Sequence, residues 1–405
     1  MNPDTTSPGK IAIPRTIWTL GFVSLFMDMS SELVHALLPI FLVSTLGLSA
    51  TALGLIEGIA EATALVVKIF SGAISDYLGR RKGLILFGYG LAALTKPLFP
   101  LAHVPAVAIT ARLLDRLGKG IRGAPRDAFV ADVAPPAIRG ACYGLRQSMD
   151  TVGAFLGPLL AIGLMFHFSD HIRTVLWFAV IPAFIAIALI VFGIGETGHS
   201  PARRTFRSPL HWQSLREFPA RYWWSVGLGA TVMLARFSEA FLVLRAQQAG
   251  LELAWIPGVM VVMNLVYSVS VYPVGKLSDR LNHRVLLAFG LAFLLVADLL
   301  LGLGQSMPLL FLGVAVWGLH MGFTQGIVTA LIAETAPPTL RGTAFGVFNL
   351  ACGLCLVVGS TLAGWLWDRF GSPVTFMTGA ALAVVPLLLC LFAPRAGVVR
   401  PMDSP

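Results

Sequence analysis

Five basic side chains recur at steps of three and four residues within one long apolar run: Arg112, Arg116, Lys119, Arg122 and Arg126. That spacing puts them on one stripe of a helix, with Asp115 and Asp127 alongside. Acids stand in other apolar runs. Asp28, Glu32 and His35 follow at i, i+4 and i+7; Glu57 and Glu61 lie one turn apart, and so do Arg146 and Asp150. A charge at mid-bilayer costs about 2.5–3.5 kcal/mol even on the more lenient insertion scales, so such a stripe must face other helices or a water-filled cavity, with acids to pair. The chemistry available is ion pairing and proton exchange. A nearby Arg favours the ionised form of a carboxylate, and loss of that contact invites a proton. Asp28 and Glu32 are expected to be the leading proton-exchange carboxylates, with Glu57, Glu61 and Asp150 behind them. A static network that holds the helices together is the competing reading.

The elements that must position these groups follow from composition. Of 405 residues, 56% are hydrophobic and only 12% are charged, against about 25% charge in a soluble domain. Mean hydropathy is +0.80. Lipid is therefore the main solvent, and a bilayer accepts only helices or closed barrels. The apolar runs have helical length, at roughly 20 residues per crossing, and the short alternating segments of a barrel are absent. The expected fold is all-α and polytopic, with about twelve transmembrane helices near 16–43, 50–75, 83–102, 105–131, 140–167, 173–194, 222–247, 252–277, 284–304, 308–333, 342–367 and 373–393. The longest polar stretch, 195–221, contains Arg203, Arg204, Arg207 and Arg216. It divides the chain into a six-helix bundle at 1–194 and a second at 222–405, with a cytoplasmic linker between them.

Short connections after even-numbered spans carry Arg80, Arg81, Lys82, Arg139, Arg280, Arg284 and Arg341, which places both termini on the cytoplasmic side. The polar stretch Met1 to Arg15 and the acids of the first run argue for a retained first span rather than a cleaved leader. The net charge of +9 does not point to nucleic acid, because no soluble basic patch exists to carry it. Cys142, Cys352, Cys355 and Cys390 all fall in apolar runs. The Cys352–Cys355 spacing lacks the further ligands of a zinc site, and no metal or cofactor is expected. A metal-ion exporter using Asp28, Glu32 and His35 is a weaker third possibility.

The two halves repeat. The segment from Gly72 through Asp76, Gly79, Arg80 and Arg81 recurs around Gly275, Asp279, Arg280 and Arg284, with Asn282 in place of the second Gly. Ala131-Asp132 through Pro135, Arg139 and Gly140 recurs as Ala333-Glu334 through Pro337, Arg341 and Gly342. Two matches at nearly one offset indicate an internal duplication. The halves are unequal in charge. The counterpart of the Arg112–Asp127 segment, about 314–329, carries no formal charge beyond whatever His320 holds. Charge confined to one half argues for a task specific to that half.

On these motifs the chain resembles the major facilitator superfamily over essentially its whole length. The Gly72–Lys82 loop looks like that family's motif A. Its Asp and Arg groups, with Asp132 and the second-half Asp279, Arg280 and Arg284, are expected to form a conformational latch rather than a substrate site. Gly153, Gly157, Pro158 and Gly163 are similar to the antiporter motif C, although Ala161 stands near the place of its later glycine pair. An ordinary Gly-Pro kink that packs tightly is an equal alternative. Arg112 sits where the family's motif B has its Arg, while Arg116 satisfies the local spacing to Gly120; the sequence does not choose between them. The resemblance implies a substrate site near the bilayer midplane between the halves and an alternating-access cycle.

The expected activity is transport, not catalysis: no phosphate loop, H-E-x-x-H or nucleophile elbow is present. The leading reading is a proton-coupled antiporter in a bacterial-type inner membrane that exports a small organic or amphipathic solute, acting as a monomer. The alternative is uptake or exchange of an anionic metabolite on the Arg/Lys stripe. Full neutralisation of the stripe by acids would favour a neutral or cationic solute. Two or more unpaired Arg residues facing a cavity would favour an anion. In the second half, Arg236 and Glu239 are expected at the same cavity or as a local pair. Asn264, Tyr267, His320, Gln325 and Asn349 are further polar candidates.

Overall fold

The computed structural model describes residues 12–195, 212–278, 280–337 and 340–392. Asp279, both chain ends and most of the expected 195–221 linker lie outside the described residues. Within them there is no strand, and the long helical segments number twelve. In chain order these are α1 (Arg15–Thr45), α2 (Ala50–Leu78), α3 (Arg81–Leu101), α4 (Pro105–Val133), α5 (Pro136–His167), α6 (Ile172–Gly193), α7 (Ala220–Gln248), α8 (Leu253–Ser278), α9 (His283–Leu303), α10 (Met307–Thr335), α11 (Arg341–Phe370) and α12 (Ser372–Phe392). Ten of them are long and apolar enough to cross a membrane. The other two, α2 and α4, are the helices that carry Glu57, Glu61 and the basic stripe.

Packing follows the duplication. In the first half α1 lies along α5 and α6, and α4 lies between α2 and α3. In the second, α9 lies along α10 and α12, and α8 along α10. The halves meet chiefly where α2 runs against α11, with smaller contacts between α5 and α8 and between α1 and α7. Small residues permit the α2–α11 approach. A Cβ on Gly58 would come within 2.8 Å of Val357 Cα, which is the logic of close helix contact in lipid.

The ends of α2 show how local sequence fixes these helices. Ser49 caps its start, its Oγ accepting from Ala52 N at 3.1 Å. Its end turns at Gly79, in the left-handed region at φ 63°, where glycine carries no Cβ penalty. Asp368, from the far end of α11, also reaches the start of α2. Its carboxylate accepts from Ala50 N at 3.0 Å, Thr51 N at 2.8 Å and Thr51 Oγ1 at 2.5 Å. An acid at a helix N-terminus meets free N–H groups and the positive end of the dipole. One half therefore caps a helix of the other, and Gln247 Nε2 adds a bond to Ser44 Oγ at 2.9 Å.

Two segments are interrupted. α3 breaks at Lys96-Pro97, where the ring removes a backbone donor. α7 breaks between Ala235 and Ala240, leaving Arg236, Phe237, Ser238 and Glu239 outside helix. The break is held open by Ser238, whose N–H donates to Ser360 Oγ at 3.1 Å and whose Oγ accepts from Ala240 N at 3.2 Å. No proline or glycine occupies this break.

Candidate functional site

A cavity of about 1540 Å³ lies between the halves. It extends from Glu57 and Phe237 to the helix ends that carry Asp76, Tyr77 and Gly342. The opposite end is the one closed by the α2–α11 contact and the Asp368 cap. The two walls differ. The first half contributes Glu32, His35, Glu57, Glu61, Arg116 and Lys119. The second contributes Val232, Met233, Phe237, Met321, Phe345 and Phe348, with Asn264, Tyr267, Gln325 and Asn349 as neutral polar groups.

The charged wall is the exposed edge of a buried network. Arg112 holds Glu57 with two prongs, Nε to Oε1 at 2.9 Å and Nη2 to Oε2 at 2.5 Å. Two parallel N–H···O bonds are the strongest geometry available to this pair. One turn on, Arg116 Nη1 meets Glu61 Oε1 at 3.0 Å, and Arg112 Nη2 lies 3.6 Å from the same oxygen. His35 bridges α1 and α2, with Nδ1 at 3.4 Å from Glu32 and Nε2 at 3.9 Å from Glu57. Asp115 turns away from the cavity and binds Lys96 Nζ at 2.8 Å, and Lys96 also donates to Ser31 Oγ at 3.0 Å.

A second cluster lies one to two turns further along α4. Arg126 and Arg146 both lie 3.6 Å from Asp150. Asp28 lies within hydrogen-bonding reach of Asp150, with Lys119 and Arg122 as its neighbouring cations. Arg122 stacks on Tyr89, 4.4 Å from the ring centroid, and its buried Nη1 has no hydrogen-bond partner among the described residues. Among the cavity-lining cations, Lys68 pairs with Asp127, Arg116 with Glu61 and Arg236 with Glu239. Among the described residues Lys119 forms no ion pair and faces the cavity exposed.

Spans one, two, four and five therefore do form one network, as the charge pattern requires. Both Arg112 and Arg116 engage acids of α2, so their pairing does not choose between them for motif B. In the second half, Arg236 and Glu239 are at once a local pair, Nη2 to Oε1 at 2.5 Å, and part of the cavity lining. His320 is not at the cavity. It is fully buried, with Nδ1 at 2.9 Å from Gly290 O. Gly153 and Gly157 press against the α1 backbone: a Cβ on Gly157 would lie 2.9 Å from Leu33 N. Their immediate use is tight packing.

Of the residues expected to form a latch, the structure brings three together. Arg81 Nε pairs with Asp132, and Arg81 Nη1 lies 3.3 Å from Asp76. All three residues belong to the first half. Among the described residues Asp76 accepts no bond from the start of α11; the cavity separates them, since both Asp76 and Gly342 line it. The second half repeats the arrangement with other side chains. His283 opens α9 as Arg81 opens α3, and its Nδ1 lies 3.0 Å from Glu334, the penultimate residue of α10 as Asp132 is of α4. Arg284 stacks on Trp224 at 5.1 Å, and Arg280 lines a small cleft beside Lys276. Gly72 packs against Ala124, and Arg80 stands at the start of α3 in extended conformation.

The sequence reading missed Lys96, Asp368, Asp298 and the α7 break. Lys96 had a signal, a lone Lys within an apolar run. Asp368 had none, since a cross-bundle cap depends on which helix end lies opposite.

Comparison with known proteins accords with this geometry. Residues 20–360 match the family model described as Major Facilitator Superfamily. An uncharacterized MFS-type transporter of Methanocaldococcus jannaschii is 28% identical over 386 residues, covering 94% of this chain and 95% of that protein. Multidrug resistance protein MdtH of Proteus mirabilis is 26% identical, covering 86% and 88%. The crystal structure of the nucleoside transporter NupG superposes with a TM-score of 0.74 at 13% identity, covering 93% and 98%.

Proposed function

The chain belongs to the major facilitator superfamily, and from that premise we propose that this multi-pass secondary transporter is a proton-coupled antiporter that exports a small amphipathic solute. The observation that carries the reading is the asymmetry of the cavity. One wall is ionic and nearly neutralised, and the other is mainly apolar and aromatic, its Arg236 and Glu239 neutralising each other. An amphipathic molecule can lay its apolar body against Phe237, Phe345 and Phe348 and its polar end against Glu32 and Glu61. Both Arg residues at the cavity, Arg116 and Arg236, have carboxylate partners. That condition favours a neutral or cationic solute over an anion. The likeness to a multidrug resistance protein supports the same reading.

The coupling role falls to Asp28 and Glu32. Asp28 and Asp150 form a carboxyl pair, which accommodates a proton between its members. Glu32 lies at the cavity beside His35. Arg116, paired with Glu61, can turn to Glu32 as a solute enters, so that solute and proton exclude one another. Alternating access then requires the Asp368 closure to release and the opposite end, taken as cytoplasmic from its Arg and Lys residues, to shut. In this cycle the bundles at 1–194 and 222–405 move about the 195–221 linker within a monomer.

The test uses purified protein in liposomes with ethidium as probe and an imposed pH gradient. Gradient-driven ethidium movement in the wild type, lost in D28N or E32Q while gradient-free exchange persists, is the expected result. Unchanged gradient dependence in both variants would sink the assignment. One observation favours a second reading, exchange of an anion: Lys119 faces the cavity without a carboxylate. Movement of an anionic fluorophore, and not of ethidium, would select it.

A further inference from the structure

Asp298 lies in α9, in the half that the ionic network does not reach. It is 0% exposed, and neither carboxylate oxygen has a hydrogen-bond partner among the described residues. An ionised carboxylate cannot persist in such surroundings without a partner. The helices packed against α9 supply no such partner. From α12 it meets Gly379, from the α7 break the ring of Phe237. The titratable groups on neighbouring elements are otherwise engaged: Arg236 and Glu239 pair with each other, Arg245 of α7 donates to Leu301 O and Gly304 O at the end of α9, and His320 of α10 turns Nδ1 to Gly290 O. Among the described residues two other buried groups on α10 lack partners as well, Trp317 Nε1 and His320 Nε2.

Phe237 separates this carboxyl from the cavity. It lines the cavity on one side. On the other, its Cε1 and Asp298 Oδ2 each lie 2.7 Å from the point a Cβ would occupy on Gly379, so ring and carboxyl are neighbours. The ring packs on Trp317 and Phe376, with centroids 5.5 Å away in each case. Its backbone belongs to the unwound turn of α7, where the helix is interrupted between Ala235 and Ala240. A discontinuous helix at a transporter cavity is where small backbone movements can admit an ion.

We propose that Asp298 is a second proton site of this transporter, loaded and emptied past Phe237 when the α7 break moves. The step is an acid–base exchange alone: a proton from cavity water forms an O–H bond with one carboxylate oxygen, and the same bond breaks on return. A metal cation does not fit, because hard cations require about six oxygen ligands and the neighbours here are ring carbons and a glycine. The role of this site in the transport cycle rests on the proton-coupled reading above. The site itself does not, and its test needs no substrate.

Infrared spectra of the protein in liposomes, recorded in H₂O and after transfer to D₂O, read the proton directly. The wild type is expected to show the carbonyl band of a protonated acid in apolar surroundings, absent in D298N. F237A is expected to exchange that proton about tenfold faster, since a lowered cost of local opening appears directly as faster exchange. In G379A, the added methyl pressed on Oδ2 should shift the band, which keeps the assignment testable should D298N fail to fold. Absence of the band in the wild type, its survival in D298N, or an exchange rate indifferent to F237A would overturn the proposal. Loss of gradient-driven ethidium transport with all three infrared results intact would fault the coupling reading and leave the site standing.

Discussion

Arg112 and Glu57 hold each other by two hydrogen bonds, and each side chain is only 1% exposed. The pair ties α4 to α2 at the base of the cavity. Removing Glu57 leaves buried Arg112 with only its longer 3.6 Å contact to Glu61, and breaking a buried pair costs about 3–5 kcal/mol. E57Q should therefore lower thermal stability markedly. E61Q should cost far less, because Glu61 is 33% exposed and water can replace it. Thermal unfolding of both variants in one detergent measures the difference, and equal shifts would contradict this ranking.

Asp368 closes one end by capping α2. In D368N the amide keeps one acceptor but loses the charge that complements the helix start, a loss of about 0.5–2 kcal/mol for a cap. The closed end should open more often. A cysteine at Ala50, in a background free of the four native cysteines, is buried in this state. It should react several-fold faster with an impermeant maleimide in D368N, and unchanged labelling would refute the role.

Lys119 faces the cavity without a carboxylate to release. K119Q should leave ethidium transport within about threefold of wild type, less than 1 kcal/mol. A far larger loss would mean that this ammonium takes part in the cycle, by anchoring an anion or by competing for Glu61. Initial rates in liposomes over a range of ethidium concentrations distinguish a change in KM from a change in rate.

The Arg81–Asp132 pair sits at a helix end, partly open to solvent. R81A should cost no more than about 1 kcal/mol of stability, the ordinary worth of such a pair. Its effect on transport should be larger, several-fold in turnover, if this corner must engage the other half when the cavity shuts. Turnover and unfolding temperature measured on one preparation compare the two effects.

The sequence announces the first-half network plainly, because charge inside a membrane must find opposite charge. Asp28, Glu32, Glu57, Glu61 and the α4 stripe follow from helical spacing and the cost of burial. The pairing within it is another matter. Spacing does not say that Asp115 shares itself between Arg116 and Lys96, or that Asp28 faces another acid. The α7 break is invisible for a different reason: Arg236-Phe-Ser-Glu239 contains no helix breaker, and a contact with Ser360 on a distant helix opens it. Asp298 looks like an isolated acid until its apolar surroundings are seen. The glycines of α5 gave the opposite lesson, since their resemblance to a transport motif coincides with plain backbone contact against α1.

The charged face of α4 also constrains how the protein enters its membrane during synthesis. That helix cannot enter lipid alone, and the order of the chain supplies what it needs. Glu57 and Glu61 emerge before Arg112 and Arg116, and Lys96 before Asp115. Arg126 is a partial exception, for beside neighbouring Asp127 its second acid, Asp150, comes later in α5. It has interim hosts already made: Ser24 Oγ at 3.3 Å and the hydroxyl of Tyr89 at 3.4 Å. The nascent first half can thus shelter each of these paired charges as it appears, with α5 arriving last to complete the set.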